Sequence, residues 1–338
     1  MNITTIGLDI AKSIFHLYGI NSVGRLLKKK QLQRHQLLKY LANLDASLVV
    51  MEACGGANYW AREIMLLGHE VKLISPQYVK PYVKGNKNDY NDAQAIAEAA
   101  QRSNMRFVPI KSVEQQDVQN FHRQRERIKK ERTALVNQIR GLLAEYGIVI
   151  KKGVAAVRRE LPRILEDAEN GLNTLSRELF AELQDELHAL EERFVQCNHR
   201  INLMNQDNAV CRRLEGILGI GSITASATYA AVGDGKEFKN GRHFSAWLGL
   251  VPGQHSTGGK PVLLGISKRG NSYLRTLYIH GARAVLRYSA NKQDRFSRWA
   301  QQVLARRGHN KACVAVANKL ARIAWVIMAR GESYRALV

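Results

Sequence analysis

Residues 3–9 read ITTIGLD and residues 47–52 read SLVVME. Each is a short apolar run that ends on an acid. Strands disfavour aspartate, and the apolar neighbours of Asp9 give it no packing role. Strand ends can lie side by side in a sheet, which would bring Asp9 and Glu52 together. A third stretch, KNDYNDA at residues 87–93, opens a helical pattern. It places Asp89 and Asp92 three apart, on one face and one turn from each other. A plain structural account also exists, because aspartate caps a helix N-terminus and interacts favourably with its dipole. Singly, each acid has such an account. As a set of four they would repel strongly, so their convergence implies a bound cation. Hard oxygen ligands favour Mg²⁺ or Mn²⁺, and two such ions about 4 Å apart serve phosphodiester chemistry.

Around these stretches the first hundred residues alternate. Apolar runs cover residues 3–9, 14–20 and 25–32, followed by a helical pattern at Gln36, Leu37, Leu38, Tyr40 and Leu41. A run at 47–51, a helix near 58–67, a strand at 70–74 and a helix over about 89–102 complete the pattern. Three strands followed by alternating helix and strand predict a mixed α/β sheet with helices packed on it.

Beyond residue 110 the periodicity turns helical. Val118, Phe121, Ile128, Leu135, Ile139, Leu142 and Tyr146 form one apolar stripe on a basic helix. Leu172, Leu175, Leu179, Leu183, Leu187, Leu190, Phe194, Cys197, Ile201 and Met204 form a longer seam. It suits an antiparallel hairpin within one subunit or a coiled coil between subunits. At 214–234, LEGILGIGSITASATYAAVGD predicts two short helices about a Gly-Ile-Gly turn, whose amides can hold a DNA phosphate. A glycine-rich turn at 253–259, an apolar run at 261–266 and a basic helical segment from Asn271, broken near Gly308, follow. The division expected is 1–110, 111–208 and 209–338.

Lys and Arg number 51 against 29 Asp and Glu, a formal charge of +22 over 338 residues. Such a charge repels itself in a compact chain and calls for a polyanion, nucleic acid first and an anionic membrane second. Residues 260–330 carry 15 Lys/Arg and one acid, Asp294, and residues 101–160 carry 14 against 6. Residues 161–208 reverse the balance with 4 basic and 10 acidic. The 15-to-1 block points to phosphate contact. No stretch approaches the about 18–20 continuous apolar residues of a spanning helix, and MNITTIGLDIAKS lacks a secretory pattern. Four widely spaced cysteines, Cys54, Cys197, Cys211 and Cys313, read as buried free thiols of a cytoplasmic protein.

The arrangement of acids resembles the RNase H-like fold in its RuvC form. Six strings in order go further: GLDIAK, MEACGG, the K-x-D-x-x-D-A pattern of Lys87 to Ala93, LEGILGIGSITA, WLGLVPGQHSTGGK and GISKRGNSYLR. Together they resemble the DEDD-type insertion-sequence transposases, which are related to the Piv-type invertases and are described as bridge-RNA-guided recombinases. The resemblance runs from about residue 3 to 330. It implies a RuvC-like N-terminal domain, a coiled-coil connection and a mainly α C-terminal transposase domain with a small β-hairpin. It implies a metal site on Asp9, Glu52, Asp89 and Asp92, and a serine that becomes linked to DNA. Counted back from ISKRG the serine is Ser256; counted forward from Pro252 the position is Thr257. Ser256 is preferred as the less hindered hydroxyl, although Ser and Thr among glycines also suit tight turns. Lys268, Arg269, Arg275 and Arg283 are the expected phosphate binders, Arg275 foremost because it lies in a matched string. The implied partners are donor and target DNA, a guide non-coding RNA and further copies of the chain, as dimers and tetramers. In the bacterial cytoplasm such a protein would join the nucleoid when active.

Three other readings compete. A RuvC-like endonuclease or junction resolvase would cut with the acids and water, leaving free ends. A sugar kinase shares a GLDIAK-like phosphate loop but needs further glycine-rich nucleotide loops. A purely binding protein has no use for carboxylates gathered beside a phosphate ligand.

Overall fold

The computed structural model describes residues 2–85 and 88–335. The chain divides into two compact units, Met1–Ser112 and Val113–Val338.

The first unit is built on β1 (Thr5–Ile10), β2 (Ile14–Ile20), β3 (Leu26–Gln33), β4 (Leu48–Glu52), β5 (Glu70–Ile74) and β6 (Phe107–Val108). They form one sheet in the order β3-β2-β1-β4-β5-β6. The first three strands pair antiparallel, β1 pairs parallel with β4 and β4 with β5, and β6 adds antiparallel to β5. Helices α1 (Leu37–Leu41), α2 (Ala57–Leu66), α3 (Pro76–Val79) and α4 (Asp89–Ala100) complete the unit.

Pleat alternation divides the side chains between two cores. Ile6, Leu8, Phe15, Leu17, Val49 and Met51 join Trp60, Ala61 and Ile64 of α2. Val50 and Ile74 instead meet Ala95, Ile96 and Ala99 of α4. Gly7 lies between the two alanine rungs of that helix. A β-carbon there would fall on the carbonyl oxygen of Ala93 and come 2.9 Å from the β-carbon of Ala97. Glycine therefore lets α4 rest directly on the backbone of β1.

The second unit is helical apart from one hairpin. Its first core joins α5 (Val113–Ala144), α6 (Val154–Glu166) and α7 (Thr174–Asp207) through Ile128, Leu135, Ile139, Phe180, Leu183, Leu187, Leu190 and Ile201. The predicted seam thus packs within the chain for most of its length. It departs at the N-terminal end, where Leu175 and Leu179 are exposed and Phe180 takes the buried position. The second core gathers α8 (Ala209–Glu215), α9 (Ser222–Val232), α10 (Gly241–Trp247), α11 (Ser272–Tyr288), α12 (Arg295–Arg307) and α13 (His309–Arg330). The basic segment after Asn271 breaks twice, since Asp294 caps α12 by accepting from the amides of Phe296 and Ser297. By length and composition α13 could cross a membrane. Here its Ala312, Val316, Leu320, Ala324 and Ile327 are built into the second core.

His122 links three of these helices. Its Nδ1 is 2.9 Å from the Tyr273 hydroxyl and its Nε2 is 3.0 Å from Ser226 Oγ. Burial, helped by the nearby Arg125, pushes its pKa down to about 4, so the ring is neutral at pH 7. All four cysteines are free; three are buried as expected, but Cys54 is exposed.

Candidate active site

Strand register sets the acids. Leu8 of β1 pairs with Met51 of β4, so the next residues on each strand, Asp9 and Glu52, occupy the same rung. Both follow the parity of Gly7 and Val50 and therefore share the sheet face on which α4 packs. Helix α4 begins there because Asn88 caps it, accepting from the amide of Tyr90. Asp89 and Asp92 fall in its first turn, where the helix dipole favours negative charge. Carboxylate oxygens of Asp9, Asp89 and Asp92 all lie within 4.8 Å of one another.

The cost of that crowding is visible in the acid strengths. Asp9 is pushed up to about 6, first by burial and then by the charges of Asp92, Asp89 and Glu52, with His16 acting the other way. Glu52 is raised by burial and by Asp92. The exposed Cys54 thiol is raised by burial of its sulfur and by Glu52 and Asp9. Among the described residues no lysine or arginine forms an ion pair with any of the four acids. A set of hard oxygen donors with no cationic side chain is a fit for a divalent metal ion. Lys87 of the K-x-D-x-x-D-A pattern lies outside the described residues.

One residue of this site was not expected from the sequence. His16 pairs with Asp9 in the β1–β2 register and is 7 % exposed. Its Nδ1 is buried without a hydrogen-bond partner and sits 3.6 Å from Oδ2 of Asp89. The ring edge also packs against Tyr90, 4.7 Å between centroids. A buried polar atom left unpaired costs about 1–3 kcal/mol, and here it is aimed at the carboxylate cluster. The signal was strand parity: in IFHLYGI, Phe15 and Leu17 face one core while His16 takes the other face.

Ser256 belongs to the second unit. It lies on β7 (Pro252–Thr257), which pairs antiparallel with β8 (Lys260–Ile266). The expected glycine-rich turn is therefore mostly strand, and only Gly258 and Gly259 turn, both at positive φ (58° and 75°). Two left-handed residues match the twist of a tight hairpin. Ser256 is exposed, and its Oγ accepts from Gln254 Nε2 at 2.7 Å. Thr257 is exposed one residue on. Val262, Leu263 and Leu264 of β8 are also exposed.

Residues 211–298 match a family model described as "Transposase IS116/IS110/IS902 family", and residues 6–148 match a second transposase model, of the DEDD type. The chain is 50 % identical over 334 residues to a "Transposase for insertion sequence element IS1111A" of Coxiella burnetii, covering 99 % of this chain and 92 % of the relative. The chain belongs to the IS116/IS110/IS902 family of transposases. It is 50 % identical over 336 residues to a protein of Pseudomonas aeruginosa named "Probable family 20 transposase", covering 99 % of each. A "Transposase for insertion sequence element IS1328" of Yersinia enterocolitica is 41 % identical over 333 residues, covering 98 % of this chain and 99 % of the relative. This transposase is thus an enzyme that cuts and rejoins DNA. The first matched segment holds the four acids, and the second holds Ser256.

The basic residues expected on phosphate divide by position in the transposase. Lys268, Arg269 and Arg283 are exposed. Lys268 has φ 53°, the one non-glycine at positive φ among the described residues. Arg275 is half-buried, and its Nη1 donates to the carbonyls of Leu248 (3.0 Å) and Arg269 (2.9 Å). That end of the guanidinium clasps two loop carbonyls. Gly249 permits the approach, since a β-carbon there would lie 2.9 Å from the same nitrogen.

Proposed function

We propose that the transposase breaks and rejoins strands by transesterification, using Ser256 as nucleophile and the acids as a divalent metal site. The observation carrying this reading is the convergence of Asp9, Asp89 and Asp92 beside Glu52 on one sheet face. The strand order, with β1 central between antiparallel β2 and parallel β4, supports an RNase H-like fold of the RuvC type. In that scheme residues 1–110 form the acidic domain, 111–208 the helical connection and 209–338 the transposase domain.

The Ser256 oxygen attacks a backbone phosphorus. The Oγ–P bond forms, the bond from phosphorus to the 3′ oxygen breaks, and the serine proton ends on the released 3′ oxygen. The phosphoserine link conserves the phosphodiester for rejoining. Asp9, Glu52, Asp89 and Asp92 would hold Mg²⁺ or Mn²⁺, which supplies stabilisation of the charge developing at phosphorus and on the leaving oxygen. His16, with Nδ1 3.6 Å from Oδ2 of Asp89, would restrain that carboxylate from the neighbouring strand. Gln254 donates to the resting serine and holds its hydroxyl in place.

The 15-to-1 basic block supports extended phosphate contact with donor and target DNA. A guide RNA would supply sequence choice by pairing, consistent with a strongly basic chain lacking a base-reading motif. Dimers and tetramers would bring Ser256 of one copy to the acids of another.

The test is a denaturation-resistant protein–DNA adduct, formed with labelled donor and target, Mg²⁺ and the native flanking transcript. Adduct lost in Ser256→Ala and Asp9→Ala but kept in Thr257→Ala supports the proposal. Cleavage without adduct, unchanged in Ser256→Ala, replaces it with a RuvC-like endonuclease.

A further inference from the structure

A cavity of about 1010 Å³ opens in the second unit between the start of α10, the later turns of α13 and residues 332–335. Its polar wall is basic, carrying Arg242, Lys319 and Arg322, while Ile323, Val326 and Ile327 give it an apolar floor. The two sides are fixed against each other. A β-carbon on Gly241 would meet the Arg322 carbonyl oxygen at 2.9 Å and its α-carbon at 3.0 Å, so α10 begins directly on the α13 backbone.

The cations here are not neutralised by ion pairs. Among the described residues, none of Arg242, Lys319 and Arg322 forms an ion pair. Glu332 also lines the cavity, and the carboxylate is 3.8 Å from Arg330. Lys319 is held by aromatic faces instead: its ammonium is 4.0 Å from the Trp299 centroid and 5.4 Å from that of Phe296. Those two rings stack at 5.9 Å. A lysine pinned in this way gives up little side-chain freedom on meeting an anion. Like charges gathered without partners oppose folding, and an anionic ligand offsets that opposition.

The apolar floor narrows the ligand class. A duplex backbone sliding past would satisfy the cations and leave the half-buried Ile323 and Val326 wet. A single nucleotide presents both faces, a phosphate for the guanidinium forks and a flat base or sugar for the floor. The volume is at the upper end of the roughly 300–1,000 Å³ that small-ligand sites occupy.

We propose that this cavity accepts one nucleotide of a single-stranded nucleic acid, a strand end or a base turned out of a duplex. Arg242, Lys319 and Arg322 take its phosphate, and the α13 floor takes its base. The proposal rests on the transposase reading and names a place where that enzyme holds an unpaired strand.

The test is equilibrium binding by the full-length protein, carrying Asp9→Asn and without metal ions, so that cleavage chemistry plays no part. The probes are labelled oligo(dT), labelled oligo(rU) and a duplex of equal length, each over a salt series. Arg322→Gln with Arg242→Gln should weaken single-strand binding about tenfold or more and reduce the salt slope by about 1–2. Duplex binding should change less than about twofold. Val326→Thr should weaken single-strand binding with no change in salt slope. Arg322→Lys, which keeps the charge and the fold but loses the fork, should fall between. Tighter binding of oligo(dT) assigns the strand to DNA, and tighter binding of oligo(rU) assigns it to RNA. Equal losses for single strand and duplex, or no loss, overturn the proposal. Either of those results leaves metal binding at Asp9, measured on the wild-type acids, as a separate question.

Discussion

Gly7 and Ala97 approach so closely that a β-carbon on the glycine would sit 2.9 Å from that of the alanine. This contact lays α4 on β1 and sets the distance from Asp9 to Asp89 and Asp92. Gly7→Ala should push the helix off the strand at a cost of about 1–3 kcal/mol. It should also lower Mn²⁺ affinity about tenfold although no ligand is removed. Gly19→Ala is the control, because its β-carbon meets only side-chain atoms of Ile3, at 3.0–3.4 Å. Calorimetric Mn²⁺ titration decides: equal affinities in the two variants would show that the approach does not position the acids.

Asp9 is held where charge is unwelcome, half-buried among three other carboxylates. Asp9→Asn should therefore raise the metal-free unfolding stability at pH 7, by about 1 kcal/mol after allowance for solvent screening. The same change should abolish saturable Mn²⁺ binding. Urea denaturation with and without Mn²⁺ measures both, and a variant less stable than the wild type without metal would refute the repulsion.

His16 should matter through Asp89. His16→Ala is expected to weaken metal affinity about tenfold, within the range seen when a side chain beside the ligands of a metal site is lost. His16→Asn, which keeps a donor near the same place, should recover part of it. In an Asp89→Ala background the His16→Ala change should be silent. Independent, additive losses would mean that His16 acts elsewhere.

His122 makes the second unit sensitive to acid. Its folded pKa lies near 4, below the ordinary 6.5 that the unfolded chain shows. Between those values the unfolded chain binds more protons, so stability falls as pH drops from about 6.5 to about 4. That difference corresponds to about 3 kcal/mol. In His122→Gln, unfolding monitored by tryptophan fluorescence should lose that part of its pH dependence. An unaltered slope would place the acid sensitivity in other groups.

The acids were legible in the sequence because each breaks a local rule: aspartate on a strand, glutamate after Leu-Val-Val-Met, two aspartates one turn apart. The sheet was legible for the same reason, its runs being short and bounded. β6 was not, since two residues carry no period. Nor was Leu175, whose spacing continues the seam although Phe180 takes the buried place. The second break in the basic helices was missed because no glycine or proline marks it; the cap at Asp294 does. Ser256 was read within a turn, since GQHSTGG is turn-like in composition, while pairing of His255 with Val262 and Ser256 with Pro261 extends the strand. His16 required knowing which face of β2 meets α4, and that depends on the alanines of a helix more than seventy residues away.

The four acids and Ser256 stand on separately cored units of one chain. If, as proposed, Ser256 of one copy meets the acids of another, inactivating lesions should sort into two complementation groups. Under the proposed serine mechanism, a chain broken at Asp9 and a chain broken at Ser256 still carry between them one intact copy of each group it requires. Co-expressed, two dead alleles could then move an element that neither moves alone, and a genetic cross would by itself reveal how the labour is divided.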